Sequence, residues 1–472
     1  MRLFEVGLLL LDLIVLLWPL LPTRLRLSWM SVLPWIAFLV MGLHLVIEGY
    51  RWQMVPAYAL TALLLLLNVR RRASTTTSTV WRRVRGALSV LLIALIAAPP
   101  VIFPVPQLPT PPGSFAIGTL TYDWVDATRA ELYGTDPNTK REIMVQAWYP
   151  AEAVSGAQTA PWMERLEVAG PRIATYLRLP SFVMDHAELV RTHSHASAPI
   201  SRAEARYPVI LYSHGWNGFR ANSTDQMEAL ASEGYVVFSI DHTYGAMLTV
   251  FPDGRVILNN PKALPADGTP EAEAQRIREA LAGTYAADIR FVLDQLEKLN
   301  AGEIDSRWAG KLDLDRVGVF GHSTGGGGVV LACSQDARCK AGLGMDAWVV
   351  PVPDDVIAGG LPQPFLFMRS EVWREQARND PRLDQLFLGL RQGGYRLTIA
   401  GTRHYDFTLV PLLTPLAPAL GLKGPIDGAR GMRIITDYLL AFFDQTLKGQ
   451  ASALLDGPAA QYPEVTFEQR GP

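Results

Sequence analysis

Ser323, His404 and either of two acids, Asp346 or Glu371, are the residues of this 472-residue chain that could carry out nucleophilic chemistry. Ser323 lies in Gly321-His322-Ser323-Thr324-Gly325, after the apolar run 316–320 and before a glycine-rich, helix-like stretch. A serine on a sharp strand-to-helix turn is lifted above the sheet, and small neighbours keep the turn free of collisions. The pentapeptide alone is weak evidence, since a serine that merely caps a helix has the same letters. A serine hydroxyl also needs a base at neutral pH. Among the eight histidines, His404 alone follows a late apolar run (395–399) and precedes a last helix, in the loop Gly401–Asp406. That placement matches the chain order serine, acid, histidine. The acid must accept the other imidazole N–H and stabilise the imidazolium. Asp346 follows the run 341–345 and Glu371 follows 364–368, so position alone leaves both open. Two backbone amides must meet a developing oxyanion, each worth roughly 3–4 kcal/mol. The amides after the serine and after an early strand are expected there: Thr324, and Trp216 in Ser213-His214-Gly215-Trp216.

These groups need a frame that brings them together. Runs 142–149, 208–213, 235–240, 316–320, 341–345, 364–368 and 395–399 read as strands. Stretches 222–233, 270–299 and 429–447 read as helices between or after them. Short apolar strands alternating with helices predict an α/β fold with a mostly parallel sheet covered by helices on both faces. In such sheets ligands meet the carboxyl ends of the strands. All the candidate residues follow strands.

The first 110 residues differ from the rest. They hold ten arginines, no lysine and three acids, a net of +7, against −9 for 111–472. Four apolar stretches, 3–21, 33–47, 54–69 and 86–105, predict membrane spans, since a bilayer core takes about 20 helical residues. Trp29, Trp35, Tyr50, Trp52 and Tyr58 suit the interfaces. Arginines at 24 and 26, and at 70, 71, 72, 82, 83 and 85, put those two loops in the cytoplasm. Arg2, at the opposite side, runs against this. The fourth span then leads outward, and a proline-rich linker (104–112) opens a domain 111–472 outside the cytoplasm. His44 and Glu48 read as side chains snorkelling at an interface. A cleaved signal peptide is disfavoured because Trp18–Pro22 has no small-residue cleavage site. The single basic cluster lies between two spans, which disfavours nucleic acid as a partner.

Four segments together resemble a known family: Tyr212–Arg220, Gly321–Gly326, Met345–Trp348 and Pro362–Glu371. With the 23-residue step from Ser323 to Asp346, the chain is similar to the platelet-activating factor acetylhydrolases, the plasma and type II branch of the α/β-hydrolase superfamily, over about 115–450. The resemblance implies Ser323 as nucleophile, Asp346 as acid, His404 as base, and Trp216 and Thr324 as oxyanion amides. It implies hydrolysis of carboxylic esters without metal or other cofactor, on lipid or phospholipid-like substrates with short or oxidised acyl chains. Thr324 stands where a bulky aromatic is common in that family, and the four spans are not part of its animal members. Cutinase-like and simple carboxylesterases use the same chemistry. A ligand-binding outer domain of a membrane signalling or transport component is the reading without catalysis.

Other features attract simpler readings. His186, His193 and His195 lie in an irregular insertion, 151–206, without ligand-like spacing to acids. The insertion is expected to form a lid or entrance, with Trp162, Met163, Leu177 and Phe182 against lipid, substrate or core. Cys333 and Cys339 flank a short turn and can form a disulfide outside the cytoplasm. Gly325–Gly328 lacks the Lys-Ser/Thr of a phosphate loop. Asp241-His242 is expected to be structural.

Overall fold

Apolar β-branched and aromatic runs pair at the centre of the larger of two units in the computed structural model. That unit comprises Gln107–Ile173, Arg191–Pro411 and Ala417–Pro472. The structure describes all residues except 23, 24, 26, 70–78, 154, 155, 157 and 472. The strands are β1 Ala116–Ala130, β2 Lys140–Ala151, β3 Thr159–Pro161, β4 Arg191–Ala196, β5 Tyr207–Ser213 and β6 Val236–Asp241. A small hairpin (β7 Leu248–Val250, β8 Val256–Leu258) precedes β9 Leu312–His322, β10 Ala341–Met345, β11 Phe365–Ser370, β12 Gly394–Ile399 and β13 Val465–Arg470. Apart from the hairpin they form one sheet in the order β13-β12-β11-β10-β9-β5-β6-β2-β1-β4-β3.

From β12 to β6 all neighbours are parallel. These central strands are buried on both faces, which is why they read as continuous apolar runs. One face carries the helices Glu271–Asn300 and Thr324–Gln335, packed through Ile289, Val292, Val329 and Val330. The other carries Thr224–Ser232 and Gly428–Lys448 through Met227, Leu230, Ile435 and Phe442. Each such fully buried side chain contributes about 1.5–3 kcal/mol. Gly321 is level with Ser213 and Gly344, and Met345 with His322 and Met368. The carboxyl ends of β5, β9, β10 and β11 therefore share one rim.

Cys333 and Cys339 are joined in a disulfide between the helix Thr324–Gln335 and β10. Of the insertion, Trp162 is buried and donates to Ala221 O at 2.9 Å, so it packs in the core. His193 pairs with Glu228 at 2.8 Å, His195 Nδ1 donates to Gln158 O at 3.3 Å, and His186 is buried and donates to Val183 O at 2.9 Å.

The smaller unit is Met1–Pro106 with Ala174–Val190 and Leu412–Leu416. Segments 174–190 and 412–416 thus cluster with the N-terminal helices, whereas the sequence suggested a simple division near 110. The helices are α1 Leu3–Leu17, α2 Leu33–Ile47, α3 Val55–Val69 and α4 Thr79–Ile102. With their 3-10 extensions all four are long and apolar enough to cross a membrane. Arg82, Arg83 and Arg85 occupy the first turns of α4 instead of a loop. The residues at 24, 26, 70, 71 and 72 lie outside the described residues.

His44 and Glu48 are not isolated snorkelling side chains. His44 is buried, with Nδ1 2.9 Å from Glu48 and Nε2 2.6 Å from Tyr58 Oη. Glu5 pairs with Arg2 at 2.8 Å and with buried Arg51 at 2.6 Å. Arg2 also donates to the carbonyls of Glu48 and Gly49. Charges inside an apolar bundle persist when compensated in this way. At the same end, Trp52 Nε1 donates to Val183 O at 3.3 Å, and its ring meets Phe182 at 5.1 Å. Leu177 and Phe182 remain exposed.

Candidate active site

β9 ends in the turn that carries Ser323, whose backbone sits at φ 55°, ψ −120°. A non-glycine residue in this region is strained by about 1–3 kcal/mol, a cost that clusters at functional positions. Its surroundings hold it there. Ser323 N–H donates to Met345 O at 2.9 Å, and Ser323 O accepts from Trp348 N–H at 2.9 Å. Two glycines permit the close approach. A Cβ on Gly325 would lie 2.0 Å from Ser213 O, and one on Gly215 would lie 2.8 Å from Ser323 Cβ. The backbone that leads into Trp216 therefore passes against the serine. The Thr324 amide opens the helix Thr324–Gln335, where the helix dipole favours negative charge. Among the described hydrogen bonds, neither the Trp216 nor the Thr324 N–H has an acceptor, and the Ser323 hydroxyl takes part in none. Catalytic serine–base contacts are commonly loose before substrate binds.

Asp346 follows β10 in a left-handed conformation, φ 43°, and is fully buried. Its Oδ2 accepts from His404 Nδ1 at 3.0 Å and from Ser370 Oγ at 2.7 Å, and its Oδ1 accepts from Ser370 N–H at 2.7 Å. Glu371, the other acid that position allowed, instead accepts from Gly401 N–H at 2.8 Å. It anchors the start of the His404 loop. His404 stays partly exposed, at 23% of its side chain, and its Nδ1 is the nitrogen that meets Asp346. Its ring stacks on Trp373, with centroids 4.4 Å apart and planes within 14°. Buried His322 donates from Nε2 to His404 O at 2.9 Å. Burial, reinforced by His404, pushes the His322 pKa well below its ordinary value, so it is a neutral prop for the loop. Asp406 caps the same loop, accepting from Arg403 N–H and Gly424 N–H at 2.7 Å each.

The structure thus brings Ser323, Asp346, His404, Thr324 and the Gly215–Trp216 backbone to one rim. Sequence reasoning missed Ser370 and Trp373. A signal existed for both: Ser370 ends a strand beside that of Asp346, and its hydroxyl caps the short helix containing Trp373. His214 is not a reacting group. It is fully buried, donates from Nδ1 to Gly215 O at 2.7 Å and accepts from His242 N–H at 3.2 Å. Burial, then the neighbouring His242, lowers its pKa to about 3.

A largely parallel sheet covered on both faces, with a strained serine at its carboxyl rim, defines the α/β-hydrolase-like class. Residues 103–454 match the family model described as platelet-activating factor acetylhydrolase, isoform II, and the chain belongs to that family. It is 28% identical over 267 residues to the platelet-activating factor acetylhydrolase of Cavia porcellus, covering 53% of this chain and 60% of that one. The match thus spans about three-fifths of that relative. A probable 1-alkyl-2-acetylglycerophosphocholine esterase of Arthroderma benhamiae is 24% identical over 398 residues, 76% of this chain and 93% of the relative. A solved ferulic acid esterase from Streptomyces cinnamoneus superposes with a TM-score of 0.64 at 29% identity, covering 77% of this chain and 99% of the esterase.

Proposed function

We propose that the protein is a membrane-anchored serine hydrolase of carboxylic esters, acting on lipid or phospholipid-like esters with short acyl groups. The observation that carries this reading is the hydrogen bond from His404 to buried Asp346 at the rim that carries a strained serine. His404 Nε2 takes the Ser323 proton as Oγ bonds to the acyl carbon, and Asp346 holds the Nδ1–H tautomer and stabilises the imidazolium. The Trp216 and Thr324 amides bind the oxyanion, and Thr324 adds the helix dipole. As the tetrahedral intermediate collapses, the imidazolium gives its proton to the departing alcohol oxygen. Water, deprotonated by His404, then cleaves the acyl-enzyme and releases the acid. These steps use no metal or cofactor.

The lipid part of the reading rests on the family and on the relatives named for acetylated phospholipids. A simple or aryl carboxylesterase is the second reading, favoured by the ferulic acid esterase neighbour. The four apolar helices support a multi-pass anchor. The arginines in the first turns of α4 support an outward course for that helix, and the disulfide suits an oxidising compartment. We place the larger unit outside the cytoplasm on that basis.

A fluorophosphonate probe applied to the detergent-solubilised full chain tests the mechanism. Labelling is expected in the wild type and absent in Ser323→Ala. Equal labelling of the variant overturns the assignment.

A further inference from the structure

An open cleft of about 240 Å³ lies beside the candidate active site, lined by Trp348, Val350, Trp373, Arg278, Arg378 and the polar Gln376 and Asn379. Two of its walls touch the chemistry directly. The Trp348 N–H is bonded to Ser323 O, and the Trp373 ring lies flat on the His404 ring. The imidazole must hand its proton to the departing alcohol, so the alcohol half of the ester lies on the His404 side. The cleft bounded by Trp373 is the continuation of that side.

The charge of this cleft is one-sided. Its lining contains two arginines and no acid. Arg278 comes from the helix Glu271–Asn300 and is largely buried, with 14% of its side chain exposed. Arg378 follows Trp373 and is mostly exposed. Both donate to the same carboxylate, Glu271, at 2.9 Å and 3.1 Å. One carboxylate cannot neutralise two guanidinium groups, so the trio keeps a net positive charge. Arginine forks are suited to phosphate and carboxylate oxygens. The tryptophan walls are suited to the apolar part of the same alcohol.

We infer that this cleft is a subsite for the alcohol half of the ester, and that Arg278 and Arg378 make it selective for alcohols carrying a net anionic phosphate diester. The inference rests on the esterase reading and goes beyond it, because it ranks substrates by charge. A net anionic headgroup is preferred to a neutral alcohol. It is also preferred to a zwitterionic phosphocholine, whose ammonium finds no acid in the lining.

The test compares three acetate esters of the same alkylglycerol: the free glycerol, its phosphocholine and its phosphoglycerol derivative. Acetate release by the full chain is followed in neutral detergent. The wild type is expected to favour the phosphoglycerol ester over the neutral one by about tenfold in kcat/KM, mainly through KM, with phosphocholine between them. Raising the ionic strength shrinks that preference. Arg278→Gln/Arg378→Gln is expected to bring the three esters within about twofold while sparing the neutral one. Arg378→Gln alone, at an exposed position, is expected to give part of the effect without a folding defect. An unchanged ranking in the double variant overturns the inference. So does an equal loss on all three esters by the exposed single variant. If the wild type cleaves neither these esters nor p-nitrophenyl acetate, the esterase reading fails. If it cleaves all three alike, only the charge selectivity fails.

Discussion

Ser213, His242 and Asp288 are linked more completely than Ser323, His404 and Asp346. In the first set Ser213 Oγ is 2.8 Å from His242 Nε2, and His242 Nδ1 is 2.9 Å from Asp288 Oδ2. In the second, one bond, His404 to Asp346 at 3.0 Å, is formed. The tighter set is nonetheless the poorer candidate for chemistry. All three of its residues are fully buried, and Tyr285 stacks on His242 at 3.8 Å. Ser213 ends a regular strand, without the left-handed turn that lifts Ser323. Asp288 also receives Arg141 at 2.5 Å and Arg129 at 2.8 Å, so its charge serves a buried ion network that includes Glu131. A hydrogen-bonded serine, histidine and aspartate are therefore not sufficient. Access, a raised serine and free amides separate a reactive set from a structural one.

The sharpest way to break this comparison is to remove each serine. Ser323→Ala is expected to lower kcat by about 10⁶-fold with little change in thermal midpoint. Ser213→Ala is expected to keep kcat within about threefold and to cost about 1 kcal/mol of stability, read by denaturant titration. Activity lost equally in both would undo the distinction.

Replacing the carboxylates comes next. Asp346→Asn is expected to lower kcat by about 10⁴-fold, because the amide imposes the wrong tautomer on His404. Asp288→Asn is expected to act on stability instead, by about 3 kcal/mol, since it removes one of the two carboxylates that pair with buried Arg141 and leaves Glu131 alone to offset it. The pH dependence follows from the same network. Burial raises the Asp288 pKa, but Arg141 and the His242 hydrogen bond more than offset it, and the folded value lies well below the ordinary one. Its contribution is therefore present above about pH 4 and is lost as pH falls further. His242, kept neutral by burial, and His214, lowered to about 3, begin to erode stability as pH drops below about 6.5. Unfolding midpoints from pH 7 to 4 should fall in the wild type. A flat profile would contradict the buried-network reading.

The smallest effect is expected at Ser370. Ser370→Ala removes one of the hydrogen bonds to Asp346 but keeps the backbone N–H, so kcat should fall about tenfold with KM unchanged. A change confined to KM would place Ser370 in substrate binding instead.

Several features were legible because they are local. An apolar run followed by small residues and a serine specifies a strand and its turn, and the order of Ser323, Asp346 and His404 follows from reading along the chain. The parallel central strands were legible for the same reason, being apolar on both faces. The outer strands β1, β4 and β13 were not, because they mix charged with apolar residues and take their form from their neighbours.

The sequence alone determined which residue types follow which strands, and that the first 110 residues are apolar and net basic where the rest is net acidic. Tertiary structure decided the pairing. Parallel register sets Ser370 beside Asp346 and turns Glu371 toward Gly401, although both acids follow strands in the same way. It also buried one serine–histidine–aspartate set and left the other at the rim, and it drew segment 174–190 to the N-terminal helices. The physical reason is that these contacts join residues tens of positions apart. Their geometry depends on strand register and burial, which no local run of residues encodes.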